Sequence, residues 1–204
     1  MDWTGAVLAG MQSHRSLAMI FHWILFLASV AATAATLMLP GPSEVLVLAA
    51  SSVLASLILL AAGFRRRRHR KAPKWVVVDG SNVMHWKDGT PRIDTVREVV
   101  DHLETRGFTP GVVFDANAGY KLDGSYHHHH EMARFLGLPE DRVMVVHKGT
   151  PADATILLAA RDLGARVVSN DQFRDWTEAY PEVREPEHLI KGGYRRGKLW
   201  LALE

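Results

Sequence analysis

The sequence predicts an α/β protein with a mainly parallel sheet, preceded by a two-helix transmembrane hairpin, and three observations carry that expectation. From Lys74 onward short β-rich runs alternate with helical patterns, which argues for parallel strands joined by right-handed crossovers, with helices on both faces. Asp79, Asp115, Asp153 and Asp171 stand where strands hand over to loops or helices. Before residue 65 there are two long stretches without Asp, Glu, Lys or Arg, at 17–39 and 45–64.

At about 1.5 Å per helical residue, each charge-free stretch is long enough to cross a hydrocarbon core of roughly 30 Å. Pro40-Gly41-Pro42-Ser43-Glu44 between them is turn chemistry, and Arg65-Arg66-Arg67-Arg68-His69-Arg70-Lys71 follows the second. Such a basic run stays on the cytoplasmic side. Ala31-Ala32-Thr33-Ala34-Ala35 would also suit a signal peptidase. The length of the apolar region, and Arg15 as the single basic residue ahead of it, favour an uncleaved hairpin. The expected organisation is a membrane anchor over 1–64, a basic linker over 65–74 and a catalytic domain over 75–204. The expected location is a bacterial inner membrane, with the domain in the cytoplasm and lipid a partner of the hairpin and linker. His22 and Trp23 fit interfacial anchoring.

Net charge is unevenly placed. Residues 65–74 hold seven Lys/Arg, whereas residues 75–204 hold 16 Lys/Arg against 20 Asp/Glu, a net of −4. The basic run is therefore first a topology and lipid-headgroup signal, and secondly a means of holding a polyanion. With no cysteine in the chain, disulfides, thiolate metal ligands and cysteine nucleophiles are excluded.

Expected strands are Trp75–Val78, Gly111–Phe114, Val143–Val146 and Arg166–Ser169, with a terminal strand near Leu199–Leu203. Thr95–Thr105 places Val96, Val99, Val100 and Leu103 on one helical face, and Tyr126–Leu136 and Pro151–Leu163 are further helices. Pro151 suits a first helical turn and Gly164 a C-terminal cap. Gly192-Gly193-Tyr194-Arg195-Arg196-Gly197 is expected to be a turn before the last strand.

Parallel sheets bind ligands at the carboxyl ends of their strands, and carboxylates gathered there repel one another unless a cation joins them. No glycine-rich phosphate loop follows the first strand, so metal-dependent hydrolysis of a phosphodiester is favoured over nucleotide binding. Magnesium, held by one or two direct carboxylates and by waters, suits such a site. Asp115 can equally start a loop, and Asp-Gly-Ser-Asn over 79–82 is also ordinary turn chemistry. His127-His128-His129-His130 offers helical ligand spacing only through His127 with His130 or Glu131. A partly solvated helix is the simpler reading there, with imidazole stacking on RNA between the two.

Val76-Val77-Val78-Asp79-Gly80-Ser81-Asn82-Val83 resembles the opening motif of the NYN domain, a branch of the PIN-like nucleases that includes regnase-type, zinc-finger CCCH-associated ribonucleases. The resemblance continues at Lys148-Gly149-Thr150-Pro151-Ala152-Asp153 and at Val168-Ser169-Asn170-Asp171-Gln172-Phe173-Arg174-Asp175. It implies a PIN-like, Rossmann-type three-layer sandwich, Mg²⁺ or Mn²⁺ at the acidic edge, and endonucleolytic cleavage of RNA. It implies metal binding by Asp79, Asp153 and Asp171; Asp115 is a further candidate from its place at the end of the second strand alone. Asn82 and Asp175 complete the catalytic set. Ser81, Lys148, Ser169, Asn170 and Arg174 are expected on the substrate side, with Arg195, Arg196 and Lys198 as further phosphate contacts. Another copy of the chain is an additional expected partner. The family often has two adjacent aspartates where this chain has Asp153-Ala154, which leaves metal stoichiometry open.

Two rivals follow from the same residues: an anchored RNA-binding adaptor with a degenerate site, and a metal-dependent phosphoesterase for another substrate. Haloacid-dehalogenase chemistry is disfavoured, since Asp79 is followed by Gly80-Ser81 and not by a second aspartate two positions on.

Overall fold

A computed structural model describes residues 20–35, 43–69 and 72–203. They fall into two compact units, divided along the chain between Ala72 and Pro73.

In the first unit, helix α1 covers 20–35 and α2 covers Ser43–His69. Ser29 and Ser56 are buried, and the hydroxyls of Ser29 and Ser52 stand 3.0 Å apart. Small hydroxyl residues let the two helix backbones approach and give the contact a hydrogen bond. The other described side chains include exposed Ile20, Phe21, Ile24, Leu27, Leu54, Leu57 and Ile58. Among the described residues, no helix is long and apolar enough to cross a membrane. The expected hairpin is thus not found there. The described part of α1 covers 16 residues of the charge-free stretch at 17–39. Residues 17–19 and 36–42, and the start of the basic run's far end at 70 and 71, lie outside the described residues.

The second unit contains β1 (Lys74–Asp79), α3 (Gly80–Val83), α4 (Ile93–Thr105), β2 (Phe108–Phe114), α5 (Ala118–Asp123), α6 (His129–Leu136), β3 (Val143–Val145), α7 (Ala152–Leu163) and β4 (Arg166–Val168). It ends with β5 (Leu189–Ile190), β6 (Gly192–Arg195) and β7 (Lys198–Leu201). The five-stranded sheet has the order β3-β2-β1-β4-β5, and every pair in it is parallel. Side chains alternate across it. Val76 and Val78 face a core shared with Val96, Val99 and Leu103 of α4 and Met132 of α6, while Val77 faces Ile156, Leu157 and Ala160 of α7. Both faces of β1 are therefore dry, which explains its continuous apolar run. Each fully buried valine contributes about 1.5–3 kcal/mol of transfer free energy.

Two expectations for this unit are corrected. Tyr126–Leu136 becomes helical only from His129, because Glu131 accepts the His128 backbone N–H at 2.9 Å and so fixes the helix start there. Gly192–Arg195 is a strand and not part of a turn: it pairs antiparallel with β7, and the turn is Arg196-Gly197. Both turn residues have positive φ, 52° and 74°, as a two-residue hairpin turn of type I′ requires.

Candidate active site at the carboxyl edge of the sheet

In the order 3-2-1-4-5 the winding direction reverses between β1 and β4, the position at which open α/β sheets take ligands outside the carboxyl ends of their strands. Asp79 ends β1 at that point. Val78 pairs with Val168, so the next residues along, Asp79 and Ser169, come level. Ser169, fully buried, donates from Oγ to Asp79 Oδ2 at 2.9 Å and accepts the Asp171 backbone N–H at 3.0 Å. One hydroxyl thereby joins the two central strand ends. Asp79 Oδ1 accepts the Asn82 backbone N–H at 3.0 Å, capping the short α3.

Asn82 holds the same two loops together from the other side. Its Oδ1 accepts the Asn170 backbone N–H at 3.0 Å and Trp86 Nε1–H at 2.8 Å. Asn170 in turn makes a reciprocal pair with Gly192, donating from Nδ2 to the carbonyl at 2.9 Å and accepting the N–H at 3.2 Å. Ser81, buried, accepts the Asp115 backbone N–H on Oγ at 2.8 Å, which ties the end of β2 to α3. Gly80 allows this approach: a Cβ there would stand 2.7 Å from two ring carbons of Phe114.

Asp171 Oδ1 accepts the Phe173 N–H at 2.8 Å, and its carbonyl accepts from Lys191 Nζ at 2.6 Å. Phe173 has φ of 48°, unusual for a residue with a Cβ, and its ring is buried against the α7 face of the sheet. Burial of that ring holds the loop in a backbone conformation it would otherwise leave. Asp175 follows in a 3₁₀ turn, Arg174–Trp176.

The carboxylates at this edge lie within range of one another's charge. Burial pushes the Asp79 carboxyl up to about 6, against hydrogen bonds from Asn82 and Ser169, with the charges of Asp115 and Asp153 adding to the rise. Asp153 is also raised, first by desolvation and then by Asp171, Asp115 and Asp175, while the Trp176 side chain donates to it and opposes the rise. Asp79, Asp115, Asp153, Asp171 and Asp175 thus share one field, drawn from the ends of β1, β2 and β4 and the start of α7.

Among the described residues no three His, Asp or Glu side chains stand close enough to enclose a metal ion. An all-oxygen, mutually repelling donor set still fits a hard cation held by one or two carboxylates, with the others reaching it through water. Lys148 and Arg174 are exposed; Arg174 Nε donates to Gln172 Oε1 at 2.7 Å, and among the described residues neither cation bonds to an aspartate of the cluster. His127 lies between Asp123, at 2.7 Å, and Glu131, at 3.4 Å, and the Asp123 hydrogen bond raises its pKa.

Sequence reasoning missed Trp86, Trp176 and Lys191, which reach the site by side-chain or backbone bonds from outside its motifs. Only the proximity of Trp176 to Asp175 in the chain offered a signal.

A family model described as the Zc3h12a-like ribonuclease NYN domain matches residues 72–193. A search of curated proteins finds no match. Among solved structures, a crystal structure of nuclear proteinaceous RNase P 2 (PRORP2) from A. thaliana is similar, with 19% identity, a TM-score of 0.49, and coverage of 74% of this chain and 35% of that one. A second structure of the Arabidopsis thaliana protein aligns with the same identity and TM-score over 73% of this chain. The chain spans about a third of the length of those structures.

Proposed function

Because the chain belongs to the Zc3h12a-like ribonuclease NYN domain family, we propose that its second unit is a metal-dependent endoribonuclease hydrolysing RNA phosphodiester bonds. The observation that carries this is the gathering of Asp79, Asp115, Asp153 and Asp171 at the strand-order reversal, where burial first and neighbouring carboxylates second raise Asp79 and Asp153. Either a proton or a cation relieves the repulsion among carboxylates so placed.

Asp79, Asp153 and Asp171 would hold Mg²⁺ or Mn²⁺, with Asp115 beside them. When bound, such an ion supplies an activated water and neutralises charge on the phosphate oxygens. The chain's own groups do the positioning. Ser169 and the Asn82 N–H fix both oxygens of Asp79. The Phe173 N–H fixes Asp171, and Trp176 fixes Asp153. Asn82 and Asn170 act by bracing the two loops, since Asn82 Oδ1 is already taken by two donors. Asp175 adds negative charge at one remove, and exposed Lys148 and Arg174 are free to swing toward RNA phosphates.

The charge-free stretches at 17–39 and 45–64, ending in Arg65–Lys71, support an anchor in a bacterial plasma membrane with the nuclease on the cytoplasmic side. The exposed apolar side chains of α1 and α2 support the same placement, with lipid, or a second copy of the chain, covering them.

Single-turnover cleavage of RNA by the purified chain with Mg²⁺ or Mn²⁺ tests the enzymatic part. Undiminished cleavage after exhaustive chelation overturns metal dependence. The second reading, an RNA-holding protein without turnover, is favoured by Ala154 and by the absence of a closed donor triad among the described residues. RNA binding without cleavage at any divalent concentration would select it.

A further inference from the structure

The β6–β7 hairpin is basic on a domain that is otherwise acidic. Lys191, Arg195, Arg196 and Lys198 occur in residues 188–203, which contain no Asp or Glu. Alternate residues of a strand face opposite ways, and the register sorts the hairpin into two sides. Tyr194, Leu199 and Leu201 are on the inner side, where the two leucines join the core and the Tyr194 hydroxyl bonds to Glu98. The outer side carries Gly193 opposite Trp200 and Arg195 opposite Lys198.

On that outer side the Arg195 guanidinium lies over the Trp200 ring, 4.3 Å from its centroid. A Cβ at Gly193 would be 3.5 Å from Trp200 Nε1, so the indole runs along bare backbone and supports the guanidinium from below. Arg195, Arg196 and Lys198 are exposed, and among the described residues none of the three is paired with a carboxylate. The foot of the hairpin is fastened to the acidic site by the Asn170–Gly192 pair and by Lys191 on the Asp171 carbonyl. Arg195 stands three residues from Gly192, roughly 10 Å along the strand.

We propose that the outer face of the β6–β7 hairpin is the platform on which the site receives single-stranded RNA, with a base stacked on the Arg195–Trp200 pair and adjacent phosphates on Arg196 and Lys198. A guanidinium plane resting on an aromatic ring is a stacking surface for an unpaired base, and it is inaccessible to bases within a duplex. Flanking cations follow the backbone without reading sequence. The platform rests on the ribonuclease reading and specifies its substrate class.

The test uses the purified full-length chain in EDTA, so that RNA stays intact, titrated with a fluorescent single-stranded oligoribonucleotide and with the duplex of the same sequence. Arg195→Lys keeps the charge and removes the plane. It should weaken single-strand binding about tenfold, with a smaller effect on the duplex. Trp200→Ala should do the same, and Trp200→Phe should restore most of the affinity. Arg196→Ala with Lys198→Ala should lower the slope of log affinity against log salt by about 0.7 for each cation removed. Melting curves accompany each variant, and Arg195→Lys, at an exposed position, keeps the test decisive if Trp200→Ala fails to fold. Wild-type single-strand affinity in Arg195→Lys overturns the platform and leaves the ribonuclease reading intact. Failure of the wild-type chain to bind any RNA overturns both.

Discussion

At Asp79 one buried group bears on both the stability of the fold and the proposed cleavage. Its carboxyl titrates near 6 in the fold against an ordinary 3.8, with burial the largest cause. A raised carboxylate pKa means that the folded state holds the proton more tightly than the unfolded one. The associated stability is complete below pH 3.8 and is lost as pH rises through 6. At about 1.4 kcal/mol per pKa unit, it amounts to about 3 kcal/mol. In thermal melts of the chelated protein, the wild type should therefore lose stability relative to Asp79→Asn between about pH 4 and 7. The variant should match or exceed it at neutral pH while losing RNA cleavage. Cleavage by the wild type should rise with pH through about 6, where a cation displaces the proton. Ser169 supplies the complementary case. Ser169→Ala leaves a carboxylate oxygen and the Asp171 N–H without their partner, so destabilisation of about 1–3 kcal/mol is expected together with a large loss of turnover, read by melt and single-turnover assay.

Among the elements, the close approach of α3 to β2 and the turn of the hairpin are the most sensitive to sequence. Gly80→Ala would drive a methyl into the fully buried Phe114 ring. About 1–3 kcal/mol of lost stability is expected, with activity lost because Ser81 and Asp115 move apart. The hairpin turn gives an opposite outcome. Arg196 has a Cβ and a φ of 52°, so Arg196→Gly should raise stability by roughly 0.5–1 kcal/mol in a thermal melt. The same substitution should weaken RNA binding in the titration described above, separating the turn's stability from its function. Phe173 would not behave this way, since its ring is what holds its own strained backbone in place.

For the whole molecule, the division at Ala72 and Pro73 predicts that the two units separate by function. A fragment beginning at Ala72 should melt cooperatively and cleave RNA in solution. The full chain should sediment with membranes, and a C-terminal cytoplasmic reporter should be active. Activity of an exported reporter alone would remove the cytoplasmic placement and RNA as a substrate. Neutralising Arg65–Arg68 in the full chain should alter its orientation or membrane affinity and leave its RNA cleavage unchanged.

The sequence by itself determined the parallel α/β sheet, because both faces of β1 and β4 are buried and continuous valine runs record that directly. It determined α7 with its ends at Pro151 and Gly164, the latter in the left-handed conformation, since caps are local chemistry. It also pointed to the aspartates, because strand ends are visible as the close of an apolar run. Tertiary structure alone decided how those carboxylates are held. The bond from Ser169 to Asp79 spans 90 residues, and that from Asn170 to Asn82 spans 88; nothing local in either segment encodes the other. It also turned Gly192–Arg195 from an expected turn into a strand, because a two-glycine start is a poor strand by propensity and gains its order from pairing with β7 and from close contact with Trp86. Local patterns record which groups must be buried or capped, whereas the partners of a buried polar atom are set by the sheet order that brings distant strand ends together.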